Sequence, residues 1–345
     1  MNLPVPPRWV RRIVIAPAVV LLAFLAVTTI PIWLILAAVV SPLLPGRWRP
    51  LRLLCFGLAW LVLDALAILA LFALWVASGF GLSRAARSDS GWYRTAHIAL
   101  MRWFLDCVYW LSVRLFRLQI TITGPAPAAA DEERAPLLVL SRHAGPGDSF
   151  LLVHSLLSGY GRRPRIVLKD TLQLDPSIDI LLHRLPSRFI TPNPTAGAQV
   201  TAAIADLARG MSGDEALVIF PEGGNFTRRR RVRAIERLRM KGYEDEAEKA
   251  EAMTHLLAPR PGGTFAAVDA APNADVVFVA HTGLEQLSSV MDIWRGIPMD
   301  SDVQACWWRV PAADVPEESE AQVDWLFAWW GRMDEWISER GYRVT

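Results

Sequence analysis

The sequence predicts an α/β fold preceded by an apolar helical hairpin inserted in a membrane, and three observations carry that expectation. Two long apolar runs occupy the N-terminal quarter, from Ile13 to Leu44 and from Leu53 to about Leu82. Beyond Pro136, short apolar runs of strand length alternate with helical stretches, the pattern of a sheet covered by helices. Two of those runs pass directly into polar turns rich in glycine, where the active groups of α/β sheets collect.

Each N-terminal run exceeds the ~20 residues needed to cross ~30 Å of hydrocarbon. Pro17 and Pro31 fall inside the first, where a membrane segment tolerates a kink. That run is too long for the apolar core of a signal peptide and is expected to be retained. Asp64 interrupts the second run, and either protonation or pairing with Arg47 or Arg49 would accommodate it. Arg8, Arg11 and Arg12 before the hairpin and Arg84, Arg87, Arg94 and Arg102 after it outnumber Arg47, Arg49 and Arg52 between the runs. The positive-inside bias therefore puts the N-terminus and the later part of the chain on the cytoplasmic face.

Residues 84–118 mix arginines with aromatics, among them Arg94, Arg102, Trp103, Tyr109, Trp110, Arg114 and Phe116, as a helix at headgroup level would. Pro125 to Glu133 reads as a loop. The expected organisation is thus a hairpin over 1–83, an interfacial helix and linker over 84–124, and an α/β domain over 125–345. In that domain the strands are expected at Leu137–Leu140, Arg165–Leu168, Ala216–Phe220 and Val276–Ala280. Helices are expected near Ser149–Leu157, Ala198–Arg209 and Arg228–Ala252, with an amphipathic closing helix over Glu317–Arg340.

Composition narrows the function. The 345 residues are 52% hydrophobic and 20% charged, which suits lipid contact, and 36 Lys and Arg against 34 Asp and Glu leave no field to gather nucleic acid. Cys55, Cys107 and Cys306 lie far apart, without the spacing of a metal site or a disulfide framework. No histidine pair has ligand spacing, so no metal is expected. His154, His183 and His255 have no carboxylate at a useful spacing, His97 falls in the surface-helix region, and His281 closes an apolar strand as a core histidine or at the cleft's border.

The chemistry gathers in two segments. Ser141-Arg-His143-Ala-Gly-Pro-Gly-Asp148 follows the first strand of the α/β part, and its Gly-Pro-Gly turn can bring imidazole and carboxylate together as a base and its orienter. Asp148 is equally suited to cap the helix that follows. The second segment, Phe220-Pro-Glu222-Gly223-Gly224-Asn225, ends another strand, and its glycines permit the close backbone approach of an anion-binding nest.

Together these segments resemble the glycerolipid acyltransferase family that includes the 1-acylglycerol-3-phosphate acyltransferases. His143 and Asp148 match that family's H-x-x-x-x-D block, and Phe220-Pro-Glu222-Gly223 matches F-P-E-G-T with Gly224 in place of threonine. Leu168-Lys169-Asp-Thr-Leu resembles the lysine-containing segment before its second block. Leu256-Leu-Ala-Pro259-Arg260-Pro-Gly-Gly263 and Met291-Asp-Ile-Trp-Arg-Gly-Ile-Pro298 are similar to the branch with eukaryotic-type and lysocardiolipin acyltransferases.

The resemblance implies an α/β domain on a membrane helical motif and transfer of an acyl group from a thioester of CoA or acyl carrier protein to a lysophospholipid hydroxyl. It implies no further cofactor. His143 would be the general base and Asp148 its orienter. Substrate contacts would come from Glu222, Gly223, Gly224, Asn225 and Lys169, with Glu222 positioning a cation or hydroxyl. Two family arginines are vacant: the second block, Arg188-Phe189-Ile190-Thr-Pro-Asn193, lacks its terminal arginine, and Asn225 stands where the third often has one. Arg188 and the run from Arg228 to Arg233 could replace that charge, although such a run also suits a solvated or membrane-facing helix. A hydrolase using water in place of the acceptor is the rival enzyme class, weakened in its serine form by the lack of a G-x-S-x-G elbow. An inactive lipid-binding relative is the non-enzymatic alternative.

Overall fold

The computed structural model describes residues 5–44, 46–82, 91–124, 134–191, 197–285, 290–299 and 302–340. The linker expected over 125–133, and Arg84 and Arg87, lie outside them. In chain order the apolar helices are α1 (Ala16–Thr28), α2 (Ile30–Val40) and α3 (Arg49–Ala77), followed by α4 (Trp92–Phe116). Then come β1 (Ile120–Thr123), β2 (Leu137–Ser141), α5 (Pro146–His154), β3 (Arg163–Lys169), α6 (Pro176–Leu182), β4 (Ser187–Ile190) and α7 (Gly197–Ala208). The remainder is β5 (Glu215–Ile219), α8 (Arg228–Met240), α9 (Glu244–Ala252), α10 (Pro261–Ala270), β6 (Asp275–Thr282), α11 (Val290–Gly296), β7 (Val303–Val310) and α12 (Ser319–Glu339).

The chain forms two compact units that do not follow the three sequence segments. The first comprises residues 1–118 with 167–193 and 294–300, and the second comprises 119–166, 194–293 and 301–345. The segments 167–193 and 294–300 join the apolar helices because those helices offer them polar partners. Arg11 donates to Asp179, at 2.7 Å with the carboxylate fully buried, and Arg49 donates to the carbonyls of Arg295 and Ile297.

Within the first unit, the first apolar run is interrupted at Thr29. Pro31 lies in the opening turn of α2, where its missing N–H goes unused, just as Pro17 opens α1. Val10–Thr28 and Arg49–Ala77 are each long and apolar enough to cross a membrane. Asp64 is buried on α3, which packs against α6, and Arg49 is committed to carbonyls instead of to Asp64. Helix α4 is two-faced. Tyr93, His97, Met101, Phe104 and Val108 are buried toward α3, where Trp60 meets Phe104 edge-on at 5.4 Å, while Trp92, Arg102, Trp103 and Trp110 are exposed. His97, expected on a surface helix, is instead fully buried, hydrogen-bonded to the Tyr93 carbonyl and to Arg184.

The second unit is built on a sheet ordered β1-β7-β6-β2-β5-β3, and β4 follows β3 where that strand has passed into the first unit. β2 runs parallel to both neighbours, pairing Leu140 with Ile219 of β5 and Ser141 with Val279 of β6, whereas β7 is antiparallel to β6. Every residue of β2, β5 and β6 is buried, as expected of parallel strands covered on both faces. One face packs Val139, Val218, Val279, Leu156 and Trp307 together. On the other, α12 lays Trp325, Trp329 and Trp330 around Phe278, with the Trp329 ring stacked on it at 4.7 Å.

All four expected strands are present, and three more were missed. Ile120–Thr123 is an exposed edge strand inside what reads as linker, Ser187–Ile190 is short, and β7 hides its period among two tryptophans and an arginine. The helix expected over Arg228–Ala252 is two helices. Gly242 at φ +79° ends the first, with its N–H on Arg239 and that of Tyr243 on Leu238, a glycine helix stop.

Trp330 is fully buried and its indole N–H has no partner among the described residues. Trp330→Ala should cost ~3–5 kcal/mol of stability through the cavity it opens. Trp330→Phe should cost much less, because it also removes an unsatisfied donor. Urea unfolding followed by tryptophan fluorescence compares the two.

Candidate active site

Because β2 and β5 are parallel neighbours, their carboxyl ends meet at one edge of the sheet. The first releases Arg142 to Asp148 and the second Phe220 to Thr227, so the two segments that stand out in the sequence are brought together. The His143 carbonyl accepts the Phe226 N–H at 2.9 Å, and the imidazole lies 4.6 Å from the Phe220 ring, tilted by 33°.

Asp148 meets both the imidazole and the start of α5, although Gly145 is the N-cap residue and Asp148 the third residue of the helix. Its carboxylate lies 3.0–3.1 Å from His143 Nδ1, and it also accepts N–H bonds from Ala144, Gly145 and Ser149 at the start of α5. Burial works against its charge, but the hydrogen bond to His143 and the nearby His281 and His143 hold it below the ordinary carboxylate range. Its ionised form therefore stabilises the fold at neutral pH, and that contribution is lost as pH falls through the depressed value. With a proton on Nδ1 directed at Asp148, Nε2 of the partly exposed ring presents a lone pair and has no partner among the described residues.

Glu222 departs from its expected role. It is 2% exposed, and its two oxygens accept the backbone N–H groups of His143 at 2.8 Å and Leu257 at 3.0 Å. Two backbone donors that would otherwise be orphaned inside the protein occupy this carboxylate, so it braces the loops and is not open to a substrate cation or hydroxyl. Burial raises its pKa to about 7, against the charge of Arg142 and the two N–H bonds, which favour the anion.

The other expected site residues divide. Gly223 is exposed and adopts φ +67°, a left-handed conformation that favours glycine. Gly224 and Asn225 follow it, half-buried, with the Asn225 carbonyl accepting from Arg230 at 3.0 Å. Arg228 is exposed at the first turn of α8. Lys169, ending β3, and Arg188, on β4, are exposed and belong to the first unit, so the sheet unit that holds His143 contains neither.

Further residues surround the site: the sequence singles out no role for Arg142, offers His281 as a core or cleft-border histidine, and marks Arg260 only within a resembling segment. Arg142, 1% exposed, donates to the carbonyls of His281 and His255 and pairs with Glu285, which fixes a buried charge behind His143. His281 lies 3.8 Å from Asp148 and 3.4 Å from the Arg142 carbonyl, and burial together with Arg142 lowers its pKa to about 4, which keeps it neutral. Arg260 reaches the glycine turn from the start of α10, its backbone N–H on the Pro221 carbonyl. Its segment stands out in the sequence only through resemblance. Among the described residues no group of three His, Cys, Asp or Glu side chains could hold a metal ion.

A sheet-end imidazole oriented by a buried carboxylate, with its second nitrogen free beside a glycine turn, makes this an α/β domain equipped to activate a hydroxyl. Comparison with known proteins agrees: residues 119–282 match the Acyltransferase family model. The matched segment, just under half of the chain, holds both His143 and the Phe220–Asn225 turn. Among solved structures it is similar to the crystal structure of the 1-acyl-sn-glycerophosphate (LPA) acyltransferase PlsC from Thermotoga maritima. That protein is 14% identical, with a TM-score of 0.45 over 84% of this chain and 99% of its own. No curated protein matches the chain.

The raised pKa of Glu222 has a testable sign. Between its ordinary 4.5 and about 7 the folded state holds more protons than the unfolded chain, so Glu222 makes stability fall as pH rises through that window. The stability of the wild type relative to Glu222→Gln should therefore decline across it, by up to ~3 kcal/mol. Urea midpoints at a series of pH values check this, and a flat difference would mean that Glu222 stays charged throughout.

Proposed function

We propose that the protein moves a fatty acyl group from a thioester of CoA or acyl carrier protein to the free hydroxyl of a lysophospholipid. The preferred acceptor is 1-acylglycerol 3-phosphate, and the product phosphatidic acid. The observation that carries this reading is the His143–Asp148 couple with Nε2 free, set beside the Gly223–Gly224 turn in an acyltransferase domain.

In the reaction, Nε2 of His143 takes the proton of the acceptor hydroxyl as its oxygen attacks the thioester carbonyl. Asp148 stabilises the imidazolium that forms. The carbon–sulfur bond breaks, and the thiolate leaves with the proton that His143 returns, so no acyl-enzyme is needed. Ester and free thiol are the products, and the base is restored.

The apolar helices supply the setting. Phe24 and Ile35 are each 64% exposed, and Leu21, Leu22 and Phe72 are exposed too, large apolar side chains in a number that suits lipid better than water. We read the hairpin as lying in the bilayer, with the exposed tryptophans and arginines of α4 at headgroup level and the acyltransferase domain on the cytoplasmic face. Lipid acceptor and enzyme then share one phase boundary.

His143→Ala should lower acyl transfer by roughly 10²–10⁴-fold while the protein still inserts and folds. Purified enzyme given radiolabelled acyl-CoA with lysophosphatidic acid, lysocardiolipin, a diester lysophospholipid or monoacylglycerol tests both chemistry and acceptor. Near wild-type turnover by His143→Ala overturns the mechanism, preference for lysocardiolipin or the diester reassigns the acceptor, and thioester hydrolysis without transfer favours a hydrolase.

Leu43, exposed at the turn between the apolar helices, reports topology. Leu43→Cys, in a background without Cys55, Cys107 and Cys306, should react with an impermeant maleimide in intact cells if the hairpin spans. Reaction only after lysis would show that it dips into one leaflet.

A further inference from the structure

A second imidazole stands behind the His143–Asp148 couple. β2 and β6 are parallel, with Ser141 opposite Val279, and the same two steps along each chain lead to His143 and His281. Alternation along β6 turns Val277, Val279 and His281 to one face of the sheet. On that face the two valines pack in an apolar cluster with Leu152 of α5 and Leu156 just beyond it. The third position of the row carries a histidine instead, and its Nε2 lies 3.8 Å from Oδ2 of Asp148, in the first turn of the same helix.

An imidazole is a costly choice for that position. The polar atoms near Nε2 are acceptors, the Asp148 carboxylate and, at 3.4 Å, the Arg142 carbonyl, so Nε2 carries the proton. Nδ1 is then a bare lone pair, buried and without a partner among the described residues. A buried acceptor left unpaired destabilises a fold, and burial together with the Arg142 charge keeps the ring from taking a second proton. An apolar side chain would serve packing better. What the imidazole adds is an N–H beside Asp148 from a new direction. Among the described residues, the hydrogen bonds that Asp148 accepts all come from its own stretch of chain, from His143, Ala144, Gly145 and Ser149. His281 approaches from β6, a strand held on both sides by β2 and β7.

We propose that His281 is a positioning residue for acyl transfer: its Nε2–H, supplied by β6, holds the Asp148 carboxylate in the orientation that faces Nδ1 of His143 while that imidazole takes the acceptor's proton. The assignment rests on the functional reading above, because it needs His143 to be the base. The contact is longer than a hydrogen bond, so the effect is that of an N–H dipole on a neighbouring anion in a buried setting. Its loss is therefore milder than the loss of Asp148 itself.

The test measures His281→Leu and His281→Gln in the full-length, detergent-solubilised enzyme, each alone and combined with Asp148→Asn. Leucine fills the site without an N–H, whereas the glutamine amide can present one near the position of Nε2. With lysophosphatidic acid and acyl-CoA, His281→Leu should lower kcat on the order of tenfold and leave KM for both substrates within about twofold, as loss of a supporting group does. His281→Gln should keep most of the wild-type rate. In the Asp148→Asn background His281→Leu should cost nothing further, because its route to the base is already cut. The Tm of His281→Leu should equal or exceed that of wild type.

An unchanged kcat in His281→Leu, equal losses in His281→Leu and His281→Gln, or the same fold-loss with and without Asp148→Asn would each overturn the assignment. A lowered Tm in His281→Leu, or its failure to fold, would make the ring a packing residue and do the same. A readout without turnover separates the proposal from the functional reading: diethyl pyrocarbonate modifies an accessible imidazole nitrogen, and mass spectrometry gives its rate at His143. That rate should fall in His281→Leu and hold in His281→Gln. If it does so in a protein that transfers no acyl group, the positioning stands and the reaction falls; if it is unchanged while His143→Ala abolishes transfer, the positioning falls and the reaction stands.

Discussion

Two hydrogen bonds to one buried carboxylate organise the site. Glu222 leaves the end of β5, turns inward, and takes the N–H of His143 from the end of β2 and the N–H of Leu257 from the segment before α10. Three stretches of chain that are remote in sequence are thereby fixed to one another. A buried anion of this kind persists only if its oxygens are satisfied, because an unpaired carboxylate in the interior would protonate or let the loops separate. Arg142 lends a compensating charge, and it is itself held by Glu285 and two carbonyls. The order of His143 is thus inherited from polar groups buried behind it.

The same economy appears on both flanks. Asp148 serves at once as the partner of the imidazole and as the acceptor for three N–H groups at the opening of α5, so the helix and the base are positioned by one side chain. On the other flank, Asp334 of α12 accepts the N–H groups of Thr254 and His255, which anchors the strap that carries Leu257 and Arg260. The closing helix has an apolar stripe packed on Phe278 and a single acid that reaches past it. Burial of tryptophans on the sheet and placement of residues beside the active turn are consequences of one packing event.

What the sequence disclosed follows from which signals are local. The strands at Leu137, Ala216 and Val276 are continuous apolar runs because both their faces are covered, and His143 and Asp148 share one tight turn, so each could be read from neighbouring residues. β1, β4 and β7 escaped because edge position and mixed burial erase the period that marks a strand. Glu222 was misread for a different reason. A glutamate before two glycines presents the composition of a ligand-binding turn, and only the positions of two backbone donors from elsewhere in the fold reveal that its oxygens are taken. The buried His97 shows the same limit, since the face of α4 that packs against α3 is decided by tertiary contact and not by the arginines and aromatics around it.

Arginine placement depends most on the fold. Where the block that Phe220–Gly223 resembles often carries an arginine, this chain has Asn225, whose carbonyl steadies Arg230 from the next helix. Arg260 arrives from more than thirty residues downstream, and its guanidinium lies where a Cβ on Gly223 would meet it. What chemistry demands at such a site is positive charge and directed N–H groups at a certain point in space, and any segment that reaches that point can provide them. A motif records one solution to that demand. Here Gly224 leaves room for the Arg230 guanidinium, and the contact at 225 is made by a backbone carbonyl, so position in the fold and not residue type at 225 sets where that charge lies.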